Sequence, residues 1–114
     1  MKTIIKVLLF IILFPSSVFA GEVYGCIKEG KKFIGKGVKV EVTSDSNTYS
    51  TKTDKYGSFR LYVKEKGKCI LKIYFTKQDK EQTTQDFAVY SYENPVKYDL
   101  FLEKEDDKYY LKRK

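Results

Sequence analysis

The chain has 114 residues, with 22 Lys and Arg against 15 Asp and Glu, a formal charge of +7 and no histidine. The missing imidazole excludes the usual histidine base and the usual histidine-built zinc and non-haem iron sites. Ten tyrosines, two cysteines and no tryptophan remain, in a chain sized for one domain with a modest core.

Residues 1 to 20 have the layout of a secretory signal peptide. Lys2 and Lys6 form a weakly basic start, and Val7 to Phe14 is an unbroken apolar run. Pro15, Ser16 and Ser17 end it, and Val18-Phe19-Ala20 places small residues where a signal peptidase cuts, before Gly21. A membrane anchor needs ~20 apolar residues, more than this run supplies. Cys26 is a poor lipid-attachment site, because bulky Tyr24 and the charge of Glu22 precede it. The expected domain is therefore residues 21–114, secreted or held in the periplasm or cell envelope, with no stable membrane span after cleavage. Its charge of about +5 favours solubility and weak attraction to anionic surfaces. The lysines are dispersed, and the one basic run is the terminal Lys112-Arg113-Lys114, so no nucleic-acid partner is expected.

After residue 20 the apolar positions keep a period of two. Glu22–Lys28 is a first strand with Val23, Gly25 and Ile27 on one face. Glu29–Gly37, with three glycines, is a loop. Gly37–Thr43 is a second strand, in which Val38, Val40 and Val42 alternate with Lys39 and Glu41. Ser44–Asn47 is a polar turn, and Thr48–Thr53 a third strand rich in Thr and Tyr. Ser58–Val63 is the fourth, with Phe59, Leu61 and Val63 inward. Cys69–Phe75 is the fifth, and the polar segment Thr76–Gln85 reads as a long loop. Asp86–Tyr92 and Val96–Glu103 follow, separated by a turn at Pro95, which cannot donate to a central ladder. Tyr109–Leu111 is a short eighth strand folding back on the seventh. No segment after residue 20 has helical periodicity. The pattern predicts an all-β chain, a single antiparallel β-sandwich of about seven main strands. The predicted core is Val23, Ile27, Val38, Val40, Val42, Phe59, Leu61, Val63, Leu71, Ile73, Phe75, Val89, Leu100 and Leu102.

Four stretches carry a family likeness. Glu22-Val23-Tyr24-Gly25-Cys26-Ile27 resembles the opening V-x-G-x-V/I strand of carboxypeptidase regulatory-like domains. Phe33 to Val40 resembles their L-x-G-A-x-V segment, with one extra residue after the glycine. Thr51 to Phe59 matches T-x-T-D-x-x-G-x-F, the most specific motif, and Gly67 to Leu71 fits G-x-Y/C-x-L. The likeness covers residues 22 to about 75. It implies a transthyretin-like β-sandwich, a fold grafted onto many exported proteins, and so says little about function.

The same motif has a local physical reading. Thr53 precedes a turn in which Asp54 accepts backbone N–H bonds and Gly57 takes a positive φ, after which Phe59 enters the core. A calcium site at Asp54 would need several more oxygens nearby, so no metal is expected. The hydroxyisourate hydrolases and intradiol dioxygenases, built on related sandwiches, depend on histidines absent here. A serine nucleophile would have only Lys or a carboxylate as base. No cofactor and no catalytic residue is expected.

Tyr62 and Tyr74 point outward by parity and form a candidate exposed aromatic surface for a protein or glycan at the cell envelope. The competing reading is that tyrosine simply suits sheet faces. Cys26 and Cys69 are a candidate disulfide, because an oxidising compartment favours pairing two such thiols. Parity opposes it by turning Cys69 inward and Cys26 outward, so the bridge requires a bulge at Gly25. The expected function is a non-catalytic exported module with a binding or structural role. The alternatives are a small exported inhibitor or immunity-type protein acting through Thr76–Gln85, and a minimal hydrolase without histidine.

Overall fold

The computed structural model describes residues 21–114, and the expected signal peptide lies outside the described residues. These residues form ten strands: β1 (Gly21–Glu29), β2 (Lys32–Phe33), β3 (Lys39–Thr43), β4 (Thr48–Lys52), β5 (Ser58–Val63), β6 (Gly67–Lys77), β7 (Lys80–Thr83), β8 (Phe87–Ser91), β9 (Val96–Glu105) and β10 (Lys108–Arg113). They build two five-stranded sheets. In the first, β10, β9 and β1 are neighbours, and the far edge of β1 is shared between β5 and β2. In the second, β4, β3 and β6 are neighbours, and the far edge of β6 is shared between β8 and β7. Among the described residues no helix is long and apolar enough to cross a membrane.

All fourteen predicted core residues are buried between the sheets, joined by Cys69, Tyr98, Tyr109 and Leu111. Each contributes by removing apolar surface from water, on the order of 1.5–3 kcal/mol for a large aliphatic side chain. Tyr109 packs edge-on against Phe75, with ring centroids 4.9 Å apart. Buried polar atoms are satisfied: Thr84 Oγ1 accepts from Ile73 N at 3.1 Å, and Tyr98 OH accepts from Tyr90 N at 2.7 Å.

Three expectations are corrected. First, the sandwich is not wholly antiparallel. β1 and β9 run parallel, with Val23 opposite Val96 and Lys28 opposite Phe101. Alternation reports which face a residue occupies and carries no strand direction. Second, Glu29–Gly37 is not all loop, since β2 pairs with the end of β1. Third, Thr76–Gln85 is not a free loop. It forms the β6–β7 hairpin, and Gln85 N then donates to Tyr109 O at 2.9 Å. The hairpin tip is Gln78-Asp79, with φ of 53° and 64°, so two non-glycine residues adopt the left-handed conformation of a two-residue turn. An Asn-Gly pair would have announced that turn; Gln-Asp does not.

The Thr53–Gly57 turn carries the chain from the second sheet to the first. Asp54 Oδ1 accepts from Tyr56 N at 2.8 Å and from Ser58 N at 3.0 Å, as expected. Thr53 is buried, donating to Gly35 O at 2.7 Å and accepting from Val38 N at 3.0 Å. Gly57 has φ of 69°, and its carbonyl accepts from Ile27 N at 2.9 Å. A Cβ there would lie 2.5 Å from Ile27 O. Gly57→Ala combines a left-handed alanine with a backbone collision, and a loss of about 1–3 kcal/mol is expected in denaturant unfolding. An unchanged midpoint would show that the turn relaxes freely.

A second tie joins the sheets at the opposite end. The Glu65 carboxylate accepts from Ser44 Oγ at 2.5 Å, Tyr49 OH at 2.9 Å and Asn47 Nδ2 at 3.0 Å. These donors, Ser44 foremost, hold the Glu65 carboxyl below its ordinary value of 4.5 against the opposing effect of burial. The ionised form is therefore the one the fold favours. Its contribution is complete above the unfolded value and is lost as pH falls through the lowered folded value. Glu65→Gln should narrow the stability gap to the wild type progressively on acidification, as read by thermal melts across that window. A constant gap would separate Glu65 from the acid response.

Candidate functional site

The outer face of the first sheet is built by the residues that alternate with the core. Along β1 these are Glu22, Tyr24, Cys26 and Lys28. Register sets their neighbours. Cys26 lies between Ser58 of β5 and Asp99 of β9, and Lys28 lies between Phe33 of β2 and Phe101 of β9.

At the Lys28 end the short β2 strand and the Thr53–Gly57 turn meet. Phe33 and Tyr56 pack edge-to-face there, with centroids 5.8 Å apart and planes at 85°. Both rings stay in water, at 48% and 52% exposure. Lys28 Nζ sits 5.4 Å from the Phe33 centroid and Lys55 Nζ 5.1 Å from that of Tyr56. Beside this ledge a hollow of about 230 Å³ is lined by Cys26, Lys28, Phe33, Asp99, Phe101 and Lys114. Cys26 Sγ donates to Tyr56 O at 3.2 Å and so ties the ledge to β1. Toward the other end of the face, Arg60 lies 5.5 Å from the Tyr24 centroid and pairs with Glu22 at 2.9 Å.

The predicted aromatic surface divides. Tyr62 stands 57% exposed on the first sheet. Tyr74 leaves the outer face of the second sheet, half-buried, donating to Glu41 Oε1 at 3.0 Å beneath Lys39. Burial and then Glu41 push its phenol pKa up. The two tyrosines occupy opposite faces and make no common surface. Phe33 and Tyr56 lie in the two motif segments but were not expected to form an aromatic surface, because both sit in stretches without periodicity. The only signal was an aromatic ring in each of two lysine-rich, glycine-bounded stretches.

Cys26 and Cys69 are unbonded, which corrects the expected bridge. Cys26 is on the outer face of the first sheet, and Cys69 is buried on β6 of the second. The required bulge at Gly25 does not form: β1 stays in register there with Phe59 and with Tyr98. The glycine has another role. A Cβ at Gly25 would lie 1.8 Å from Tyr98 O, so its absence allows two backbones to approach. Burial, the largest cause for each, raises both thiol pKa values, and at Cys26 it outweighs the opposing charges of Lys28 and Lys97, so neither thiol is an activated nucleophile.

Among the described residues no three of His, Cys, Asp and Glu gather in a way that could hold a metal ion. The carboxylate of Asp54 is engaged by two backbone N–H groups within its own turn. No family model matches the chain, and no curated protein matches it.

Alkylation of the folded protein followed by mass spectrometry should add one group, at Cys26. Denaturation without reductant should expose Cys69 to a second. A protein that takes no label until it is reduced would establish the bridge instead.

Proposed function

We propose that this chain is an exported, non-catalytic β-sandwich module, transthyretin-like in build as in carboxypeptidase regulatory-like domains, that binds a protein partner in the cell envelope or outside the cell. The observation that carries the reading is the Phe33–Tyr56 ledge. Two large rings are held in water by a dedicated turn and a two-residue strand, next to a hollow lined in part by Phe101. Exposed aromatic rings of this kind supply most of the binding energy in protein interfaces when a partner covers them. Lys28, Lys55 and Lys114 border the ledge, so the fitting partner surface is one that brings carboxylates to its rim.

The test is capture of partners from envelope extract on immobilised protein. The double variant Phe33→Ala, Tyr56→Ala should weaken capture of the specific partner by about tenfold or more, the effect of one interface hot spot. Tyr62→Ala, on the same sheet but away from the ledge, should leave it unchanged. Equal capture by all three proteins, with the variants folded by circular dichroism, would sink the reading.

A further inference from the structure

The two sides of the sandwich are finished differently. On one side Thr84 forms a parallel bridge with Tyr109 and Gln85 N donates to Tyr109 O, so the edge of β10 is laced to the second sheet. On the other side β4 and β5 are both edge strands.

Hydrogen-bond phase fixes which of their peptide groups face out. In an antiparallel pair, directly opposed residues alternate between bonded and non-bonded. Ser44 N donates to Asn47 O, and Thr53 N to Val38 O. With Val42 opposite Tyr49 and Val40 opposite Thr51, it follows that Thr48, Ser50 and Lys52 direct their N–H and C=O groups away from β3. In the first sheet Ile27 N donates to Gly57 O, which turns the peptide groups of Ser58, Arg60 and Tyr62 away from β1. Ser58 is already capped by Asp54, and the next outward N–H, Lys64, donates to Tyr49 OH at 3.3 Å. The windows without a partner among the described residues are thus residues 48–52 of β4 and 60–62 of β5.

Both windows are self-complementary. A two-fold axis through Ser50 places Thr48 opposite Lys52 of a second copy and Ser50 opposite its own equivalent. No like charges are opposed. An axis through Leu61 places Arg60 opposite Tyr62, so no like charges are opposed there either. Ser50 and Leu61 lie at nearly equal chain distances from the turn that joins β4 to β5, so one axis can serve both strands. The usual protections of an edge are also missing from β4: it holds no proline and no bulge, and its sole charge, Lys52, is at its end.

We infer that β4 and β5 are the docking edge for a second copy of this chain, which extends both sheets across a two-fold axis. The surface is separate from the Phe33–Tyr56 ledge and does not depend on the reading given to it. The occupant is a second copy rather than an arbitrary strand because one two-fold axis serves both windows and opposes no like charges in either.

Sedimentation equilibrium of the exported protein tests this, at concentrations reaching about 0.1 mM, where even a weak, micromolar dimer is populated. A monomer–dimer equilibrium is expected. Ser50→Pro removes an outward N–H without breaking the β3 ladder and should abolish the dimer, whereas Ser50→Thr should retain it. Because a proline can also unfold the strand, a charge pair is decisive. Thr48→Lys opposes Lys52 of the second copy and should weaken association roughly threefold to tenfold, while Thr48→Glu should strengthen it. A monomer at all concentrations would overturn the inference. So would a dimer indifferent to the charge at position 48, and so would protection of the Ser50 amide from exchange in a monomer, which would reveal another segment of the same chain on the edge.

Discussion

Ile27 N donates to Gly57 O across a gap that only a residue without a Cβ can close, and much of the rest of the molecule is arranged around that contact. It fixes where the chain enters the first sheet after leaving the second. Thr53 holds the departing end by bonding to Gly35 and Val38, and Asp54 holds the arriving end by capping Ser58. With both ends pinned, the phase of β5 against β1 follows, and with it the inward direction of Phe59, Leu61 and Val63. A slip of one residue would send those three side chains into water and bring Arg60 and Tyr62 into the core.

The same turn also sets the surface. Tyr56 is its third residue after Thr53, and the loop leading to β3 runs past it carrying Ile34, whose N–H bonds to Ile27 O. Phe33, one residue earlier, therefore arrives beside Tyr56. An apparatus that closes the sandwich thus displays an aromatic ledge as a consequence of its geometry. Cation–π contacts from Lys28 and Lys55 make the exposure less costly while leaving the rings accessible. At the far end, Glu65 gathers Ser44, Asn47 and Tyr49, and so ties the turn before β4 to the turn after β5. The two sheets are held together at both ends of their open side by polar contacts and between those ends by the core.

Edges and faces divide the remaining surface. The β10 side is closed by backbone bonds from residues 84–85, and the β4–β5 side presents two short windows bounded by Asp54 and Tyr49. Cys26 lies on the outer face with its thiol spent on Tyr56 O, and Cys69 is a small apolar core residue, so neither thiol acts as a staple. Stability rests instead on the interior and on these turn contacts.

Period-two alternation determined, from sequence alone, which side chains are buried: every one of the fourteen predicted core positions lies between the sheets. The turn at Asp54 and Gly57 was equally legible, because the Asp54 carboxylate bonds within its own turn and the positive φ of Gly57 depends on residue type; the partners of Thr53, Gly35 and Val38, lie 15 or more residues away and were not. What only the tertiary structure decided was everything that depends on which strand lies next to which. The parallel pairing of β1 with β9, the lacing of residues 84–85 to β10, the reason for Gly25 and the meeting of Phe33 with Tyr56 all join residues far apart in the chain. Tyr62 and Tyr74 share a parity and still end on opposite faces, and Cys26 and Cys69 end in different sheets. Alternation assigns a residue to the inside or the outside of its own strand; the assignment of strands to sheets, and of sheets to sides, comes from long-range packing that no local period records.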